Sequence, residues 1–330
     1  MTRVLVTGTA GFIGFHLAQS LLRRGMTVVG LDGMTDYYDV ALKRRRHDIL
    51  GNFEGFSGQE AMLEDRGALT AIFEAARPEI VVHLAAQAGV RYSLEHPEAY
   101  VDANLVGSFH VLELARAAAA RHLLMASTSS VYGGSRALPF REDDPVREPL
   151  TLYAATKLGG EAMAHAQAHL WGLPVTMLRF FTVYGPWGRP DMALFKFVQA
   201  ILQDRPIEVF GHGRMARDFT YVDDIVRAVT LLAEAPPPET GGLGASPSAP
   251  YRVVNVGRGA PVGLMDFVAE IERVLGRKAD CRYLPMPAGD VPSTHADIGL
   301  LSALTGFRPE VSIAEGIPAF VRWYREYYSV

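Results

Sequence analysis

A single cysteine, Cys281, stands among 330 residues, which excludes a disulfide within the chain and a thiolate cage around a metal. A reducing compartment is the default expectation for such a chain, and a cytoplasmic location is expected. An excess of positive charge is also missing. The 32 Lys and Arg face 36 Asp and Glu, a net charge of −4, so nothing global draws the protein to nucleic acid or an anionic membrane. No apolar run reaches the roughly 18 residues of a membrane span. The opening Met1-Thr-Arg-Val-Leu-Val6 runs straight into strand-like sequence, which predicts no signal peptide. No spacing of His, Asp and Glu suggests a metal site. Any anion bound here must be held by local features.

What is present is a globular composition, 49% hydrophobic and 21% charged, able to bury a substantial core. Apolar β-branched runs at Val4–Thr7, Val28–Asp32, Ile80–Ala85, His122–Ser127 and Val175–Phe180 read as strands. They alternate with helical stretches at Phe12–Arg24, Gly67–Ala76, Glu98–Ala120 and Tyr153–Trp171. This order predicts a doubly wound parallel sheet covered on both faces, with ligands beyond the carboxyl ends of its strands. After Thr182 the pattern becomes less regular. It offers a helix at Ala193–Gln203, strands near Ile207–Phe210 and Arg252–Val256, and helices at Leu264–Leu275 and Ile313–Tyr328. Ala235–Pro250, rich in Pro, Gly and Ser, reads as an exposed loop. The expected division is residues 1–182, mainly dinucleotide-binding, and residues 183–330, mainly a smaller C-terminal α/β substrate-binding lid with segments returning to the sheet.

Val4-Leu-Val-Thr-Gly-Thr-Ala-Gly-Phe-Ile-Gly14 joins the first strand to the first helix, with Gly8, Gly11 and Gly14 spaced GxxGxxG. A pyrophosphate needs backbone N–H groups at a helix N-terminus, without side chains to block its approach. Three glycines alone are a weak signal. Asp32, ending the next strand, strengthens it: a carboxylate there accepts from an adenosine ribose and repels a 2′-phosphate, so NAD is expected over NADP. The basic run Lys43–Arg46 reads as the solvated face of a helix.

Tyr153 and Lys157 lie four apart on one helix face. An ammonium near a phenol lowers its pKa from about 10, which suits Tyr153 to act as a general base. Thr128, Ser129 and Ser130 form a hydroxyl cluster at the carboxyl end of an intervening strand. His83, inside an apolar strand, reads as a core histidine, and His212, between Gly211 and Gly213, as a turn residue.

With these motifs the sequence resembles the extended short-chain dehydrogenase/reductase family, with a Rossmann-type sheet, over nearly its whole length. Asn104 and Arg217-Asp-Phe-Thr-Tyr-Val-Asp-Asp224 extend the match. The closer likeness is to the family's sugar-nucleotide epimerases that act on UDP-glucuronate. It is carried by Gly11-Phe-Ile-Gly-Phe-His16, Asp36-Tyr-Tyr-Asp39, His83-Leu-Ala-Ala-Gln-Ala-Gly-Val-Arg-Tyr-Ser93, Ser127-Thr-Ser-Ser-Val-Tyr-Gly133 and Arg179-Phe-Phe-Thr-Val-Tyr-Gly-Pro186.

The resemblance implies bound NAD, held by Gly8, Gly11, Phe12, Ile13, Gly14, Asp32, Leu84, Ala85, Ala86, Asn104, Tyr153 and Lys157. It implies that Tyr153 takes the proton of the sugar 4-hydroxyl, with Thr128 on the 4-oxygen and Lys157 on the nicotinamide ribose. The C4 hydride passes to NAD and returns to the other face of a 4-keto sugar. A 4-keto uronate is a β-keto acid prone to losing CO₂, so its carboxylate must be held. Arg189 is the expected clamp, helped by Ser129, Ser130 and Thr182, with Arg91 as a second contact. Related decarboxylases carry Glu at the position of Ser130, and related dehydratases an Asp-Glu pair at Ser129 and Ser130, so the two hydroxyls disfavour both reactions. Arg217 is expected on the UDP pyrophosphate and Asp290 on the uridine ribose. Met62 stands where many relatives place the Asp that binds the adenine amine, a role that Glu64 or Asp65 could take.

The rival activities are a UDP-glucose 4-epimerase, a UDP-glucuronate decarboxylase and a non-catalytic NAD-binding module. A homodimer is expected through the stretches 98–120 and 153–171, with Ala115, Ala117–Ala120, Ala162 and Ala164 permitting close packing.

Overall fold

In the computed structural model, which describes residues 1–330, the chain begins with strand β1 (Arg3–Thr7) and helix α1 (Phe12–Arg23). There follow β2 (Thr27–Asp32), α2 (Val40–Gly51), β3 (Phe56–Glu60), α3 (Arg66–Ala76) and β4 (Ile80–His83). Short helices α4 (Tyr92–Glu95) and α5 (Pro97–Val101) lead through a π-helical turn, Asp102–Gly107, into α6 (Ser108–Ala117). Then come β5 (His122–Thr128), α7 (Leu152–Trp171), β6 (Val175–Phe180), β7 (Thr182–Tyr184), α8 (Ala193–Leu202), β8 (Ile207–Val209), β9 (Ala216–Tyr221) and α9 (Val222–Ala233). The last part contains β10 (Tyr251–Val256), β11 (Pro261–Gly263), α10 (Leu264–Leu275), β12 (Cys281–Tyr283), α11 (Gly299–Thr305) and α12 (Ile313–Tyr328).

Seven strands form one parallel sheet in the order β10-β6-β5-β4-β1-β2-β3. The order reverses between β1 and β4, and an open α/β sheet binds ligands at such a point. Successive side chains on a strand point to opposite faces. Val4 and Val6 therefore join the cluster packed under α1 and α9, while Leu5 joins the one under α3, α6 and α7. Burial on both faces explains why these strands are nearly continuous apolar runs. Beside the sheet, β7, β9 and β11 form a second sheet and β8 pairs with β12. A third apolar cluster unites α8, α10 and α12 there. Tyr251–Val256 crosses back to pair with β6 at the edge of the large sheet.

Three readings of the sequence need correction, and one strand was missed. The stretch Glu98–Ala120 is helical as far as Ala117 but not α-helical throughout. It widens at Asp102–Gly107, where Asn104 turns inward and Gly107 lies against Leu63, so that an added Cβ would meet it at 2.4 Å. The strand Phe56–Glu60 gave no apolar signal because it is an edge strand of mostly polar residues, aligned by backbone pairing to β2. Lys43–Arg46 is not a solvated face: Arg44 and Arg45 are exposed, whereas Lys43 is 5% and Arg46 0% exposed. Finally, Ala115, Ala120 and Ala164 are spent on packing inside the chain, although Ala117 and Ala162 stay exposed.

Under the carboxyl end of β5, Arg179 and Glu161 form a buried bidentate pair, 2.9 and 2.8 Å, and Ser127 donates to Glu161 at 2.5 Å. Both side chains are almost fully enclosed, at 3% and 6% exposure. Breaking such a pair on one side strands a charge and costs about 3–5 kcal/mol. Glu161→Ala should therefore lower the melting midpoint by several degrees in calorimetry, and an unchanged midpoint would show that the pair has no net weight.

Candidate active site

The loop after β1 is shaped by close backbone approach. Gly8 has φ +80° and lies so near Ala85 that a Cβ would sit 2.8 Å from its nitrogen. A Cβ on Gly14 would fall 2.0 Å from the Gly8 carbonyl oxygen, so the first turn of α1 can pack there only without a side chain. Gly11 precedes α1 with no side chain capping the helix and no acidic residue in its first turn. The N–H groups of that end are thus free for an anion. At the end of β2, Asp32 accepts from the N–H groups of Ala10 and Met34, at 2.9 and 3.0 Å, which fixes its carboxylate beside the loop. The cradle and the carboxylate fit an adenine dinucleotide with a free 2′-hydroxyl.

Thr151 accepts from the N–H of Ala154 at 3.2 Å and starts α7, so Tyr153 sits in the first helical turn. The positive end of the helix favours a phenolate there. Burial pushes the Tyr153 phenol above its ordinary value, while the Thr128 hydroxyl and the charge of Arg189 pull it back. Lys157 donates to the Ala126 carbonyl at 3.0 Å, and burial brings its pKa down to about 8. Thr128 ends β5, accepts from the Ser130 N–H and donates to the Ser130 hydroxyl, both at 3.2 Å.

One cavity of about 1300 Å³ runs along the carboxyl ends of the sheet strands into the second lobe. It exceeds the roughly 300–1,000 Å³ of a site for one drug-sized ligand. Its wall contains every expected contact but one: the glycine loop, Asp32, Leu84–Ala86, Arg91, Thr128–Ser130, Tyr153, Lys157, Thr182, Arg189, Arg217 and Asp290. Asn104 is the exception. It is 1% exposed and its amide is used up on the Gln87 backbone and the Thr156 hydroxyl. It braces the floor of the site rather than lining it.

Three arginines expected on the substrate have partners within the chain. Arg189 is held by Asp191 in a fork at 3.0 and 2.5 Å, and Tyr37 completes Asp191 at 3.1 Å. Burial alone would push Asp191 up, but Arg189 and Tyr37 outweigh it and hold the carboxyl below its ordinary value. Arg217 donates to Asp290 at 2.6 Å, so two residues read as separate ligand contacts are each other's partners. Arg91 is exposed and stacks on Phe210, 4.1 Å from the ring centre. Met62 does line the cavity, as do Leu63 and Glu64. His83 is a core residue, bonded to Thr7 and Ser108 at 2.8 and 3.1 Å, and burial pulls its pKa down to about 3. His212 lies in a tight turn with φ +52°.

Sequence reasoning missed Tyr37, Lys43 and Asp191 on the cavity wall. Two of these were within view, since Tyr37 belongs to a quoted motif and Asp191 is two residues from Arg189. Nothing in the order of residues said that they meet.

The sheet, the glycine loop and the Thr128, Tyr153 and Lys157 set define a Rossmann-type dinucleotide enzyme. The chain belongs to the NAD dependent epimerase/dehydratase family, whose model matches residues 4–257. It is 59% identical, over 99% of its length and 98% of the relative's, to the "Probable UDP-glucuronate 4-epimerase" of Rhizobium meliloti (strain 1021). It is 45% identical to "UDP-glucuronate 4-epimerase 4" of Arabidopsis thaliana, covering 99% of this chain and 76% of that one. Among solved structures it resembles the UDP-glucuronic acid 4-epimerase of Bacillus cereus, in complex with UDP-glucuronic acid and NAD. The TM-score is 0.89 and the identity 32%, with 98% of this chain and 99% of that chain covered.

Proposed function

We propose that the protein is a UDP-glucuronate 4-epimerase, interconverting UDP-glucuronate and UDP-galacturonate with NAD that stays bound. The observation that carries this reading is a guanidinium, Arg189, in the same cavity as Thr128, Tyr153 and Lys157, with the hydroxyls of Ser129, Ser130 and Thr182. Relatives named for this activity support it.

In this proposal the glycine loop and the α1 N-terminus hold the dinucleotide pyrophosphate, and Asp32 holds the adenosine ribose. The dinucleotide supplies reversible hydride acceptance at the sugar C4. Tyr153 takes the proton of the 4-hydroxyl as C4 becomes a carbonyl, and returns it when the opposite face has been reduced. Thr128 keeps the 4-oxygen beside Tyr153. Arg189 and the three hydroxyls hold the carboxylate so that the bond to CO₂ stays out of line with the carbonyl π system. Ser129 and Ser130 provide no acid or base to assist decarboxylation. Arg217 and Asp290 bind the uridine nucleotide, and Arg91 remains a candidate at the rim.

We assign residues 1–182 mainly to the cofactor and residues 183–330 mainly to the UDP-sugar, with β10 returning to the large sheet. A homodimer is part of the proposal. Val101, Val106 and Phe109 are 39%, 39% and 41% exposed along the stretch beside α7, an apolar strip suited to a second copy. No helix is long and apolar enough to cross a membrane. A cytoplasmic location is part of the proposal, since a chain with one cysteine suits a reducing compartment.

A proton NMR time course with UDP-glucuronate and no added NAD tests the function. UDP-galacturonate alone is the expected product. UDP-pentose with CO₂ would mean a decarboxylase. Because Asp191 already neutralises Arg189, UDP-glucose belongs in the same assay, and turnover of UDP-glucose alone would replace the proposal by a UDP-glucose 4-epimerase.

A further inference from the structure

Arg46 is a cation with no exposure at all and no carboxylate partner. Burying a charge is costly unless hydrogen bonds replace its water. Its bonds go to neutral oxygens in two distant places. One nitrogen donates to the Ala10 carbonyl, inside the glycine loop, at 2.6 Å and to the Tyr38 hydroxyl at 2.8 Å. The other donates to the Trp187 carbonyl at 2.6 Å, across 141 positions of sequence. The Nε atom is buried without a partner. One guanidinium thus ties the phosphate loop to the segment that carries Arg189 two residues later.

That segment, Gly185–Asp191, is gripped from the cofactor side at three points. His16, in α1, bonds the Pro186 carbonyl at 2.9 Å. Burial brings His16 down to about 4, so it is neutral at pH 7 and gives this carbonyl its Nε2–H. Arg46 holds Trp187, and Tyr37 holds Asp191. The grip matters because the backbone between is not one a bulky residue adopts unaided: Trp187 has φ +59°. A planar fork can reach two carbonyls at once, whereas an ammonium is a single point of charge.

We propose that Arg46 is a positioning residue for substrate selectivity, acting through the Gly185–Asp191 arm to aim the Arg189 guanidinium at the sugar carboxylate. The proposal rests on the function proposed above. It makes recognition of the acid depend on a residue of the cofactor lobe that touches neither ligand. It also gives a role to the buried half of the Lys43–Arg46 run.

The test is titration calorimetry of UDP-glucuronate and UDP-glucose on holoenzyme that retains its NAD, with Arg46→Lys compared to the unchanged protein. Arg46→Lys should weaken UDP-glucuronate roughly tenfold or more, which is about 1.4 kcal/mol, and leave UDP-glucose and the NAD content nearly unchanged. A purely structural role would weaken both sugars alike, and that result, or no change in either, would overturn the assignment. If Arg46→Lys does not fold, His16→Phe removes a milder part of the same grip and should shift the ratio in the same direction. An unshifted ratio there overturns it equally. If the unchanged protein already binds the two sugars alike, the acid-clamp reading fails first and takes the proposal with it. Selectivity in the unchanged protein with unshifted variants sinks Arg46 alone.

Discussion

Tyr153→Phe should fold, keep its NAD and turn over UDP-glucuronate about 10²–10⁴-fold more slowly, the contribution expected of one positioned proton-transfer group. The change removes one oxygen from the first turn of a helix that Thr151 caps independently. The ring remains to pack against Tyr100, whose ring centre lies 6.0 Å away. What disappears is the group that accepts the 4-hydroxyl proton. Burial holds the free phenol above its ordinary value, while the Thr128 hydroxyl and the charge of Arg189 pull it down and the helix N-terminus favours its phenolate. Thr128→Val should accordingly move the pH at which rate rises upward, since it removes one of the influences that lower the phenol. Stopped-flow assays over a pH series check both points, and a Tyr153→Phe enzyme with unchanged kcat would remove Tyr153 as the base.

Arg189→Ala should cost kcat/KM for UDP-glucuronate roughly 30-fold to several thousand-fold, the range of about 2–5 kcal/mol for truncating one partner of a buried charge pair. UDP-glucose binding should change far less, because that sugar offers no carboxylate. The geometry adds a complication that a lone arginine would not have. Asp191 is mostly buried and loses its only cation, keeping just the Tyr37 hydroxyl. The single variant should therefore lose stability as well as selectivity. Pairing it with Asp191→Asn relieves the stranded carboxylate, so the double variant should regain melting temperature without regaining UDP-glucuronate turnover. Equal losses for the two sugars would make Arg189 a structural residue.

Much of the sheet was legible because a parallel strand buried on both faces leaves a continuous apolar run, as at Val4–Thr7 and Val175–Phe180. The glycine loop was legible because a close approach tolerates no Cβ, and Gly8, Gly11 and Gly14 lie within seven residues of one another. Tyr153 and Lys157 were legible through helical spacing read together with the glycine loop, the Thr128–Ser130 hydroxyls and the family resemblance. The edge strand Phe56–Glu60 was not, since its pairing uses backbone groups that every residue has. Nor was the π-helical widening at Asp102–Gly107, from which Asn104 reaches Gln87 and Thr156.

The residue order thus settles where strands, helices and the phosphate loop lie, because those depend on periodicity and on neighbours close in the chain. Many partners of the charged and polar groups are settled only when distant segments meet. Arg46 finds Trp187, Tyr37 finds Asp191 and Arg217 finds Asp290 across 141, 154 and 73 positions. A charged side chain can be solvated, paired or buried at equal ease of writing. Its environment in the folded protein selects among these, because the free energy of a charge depends on the water it loses and the dipoles that replace it.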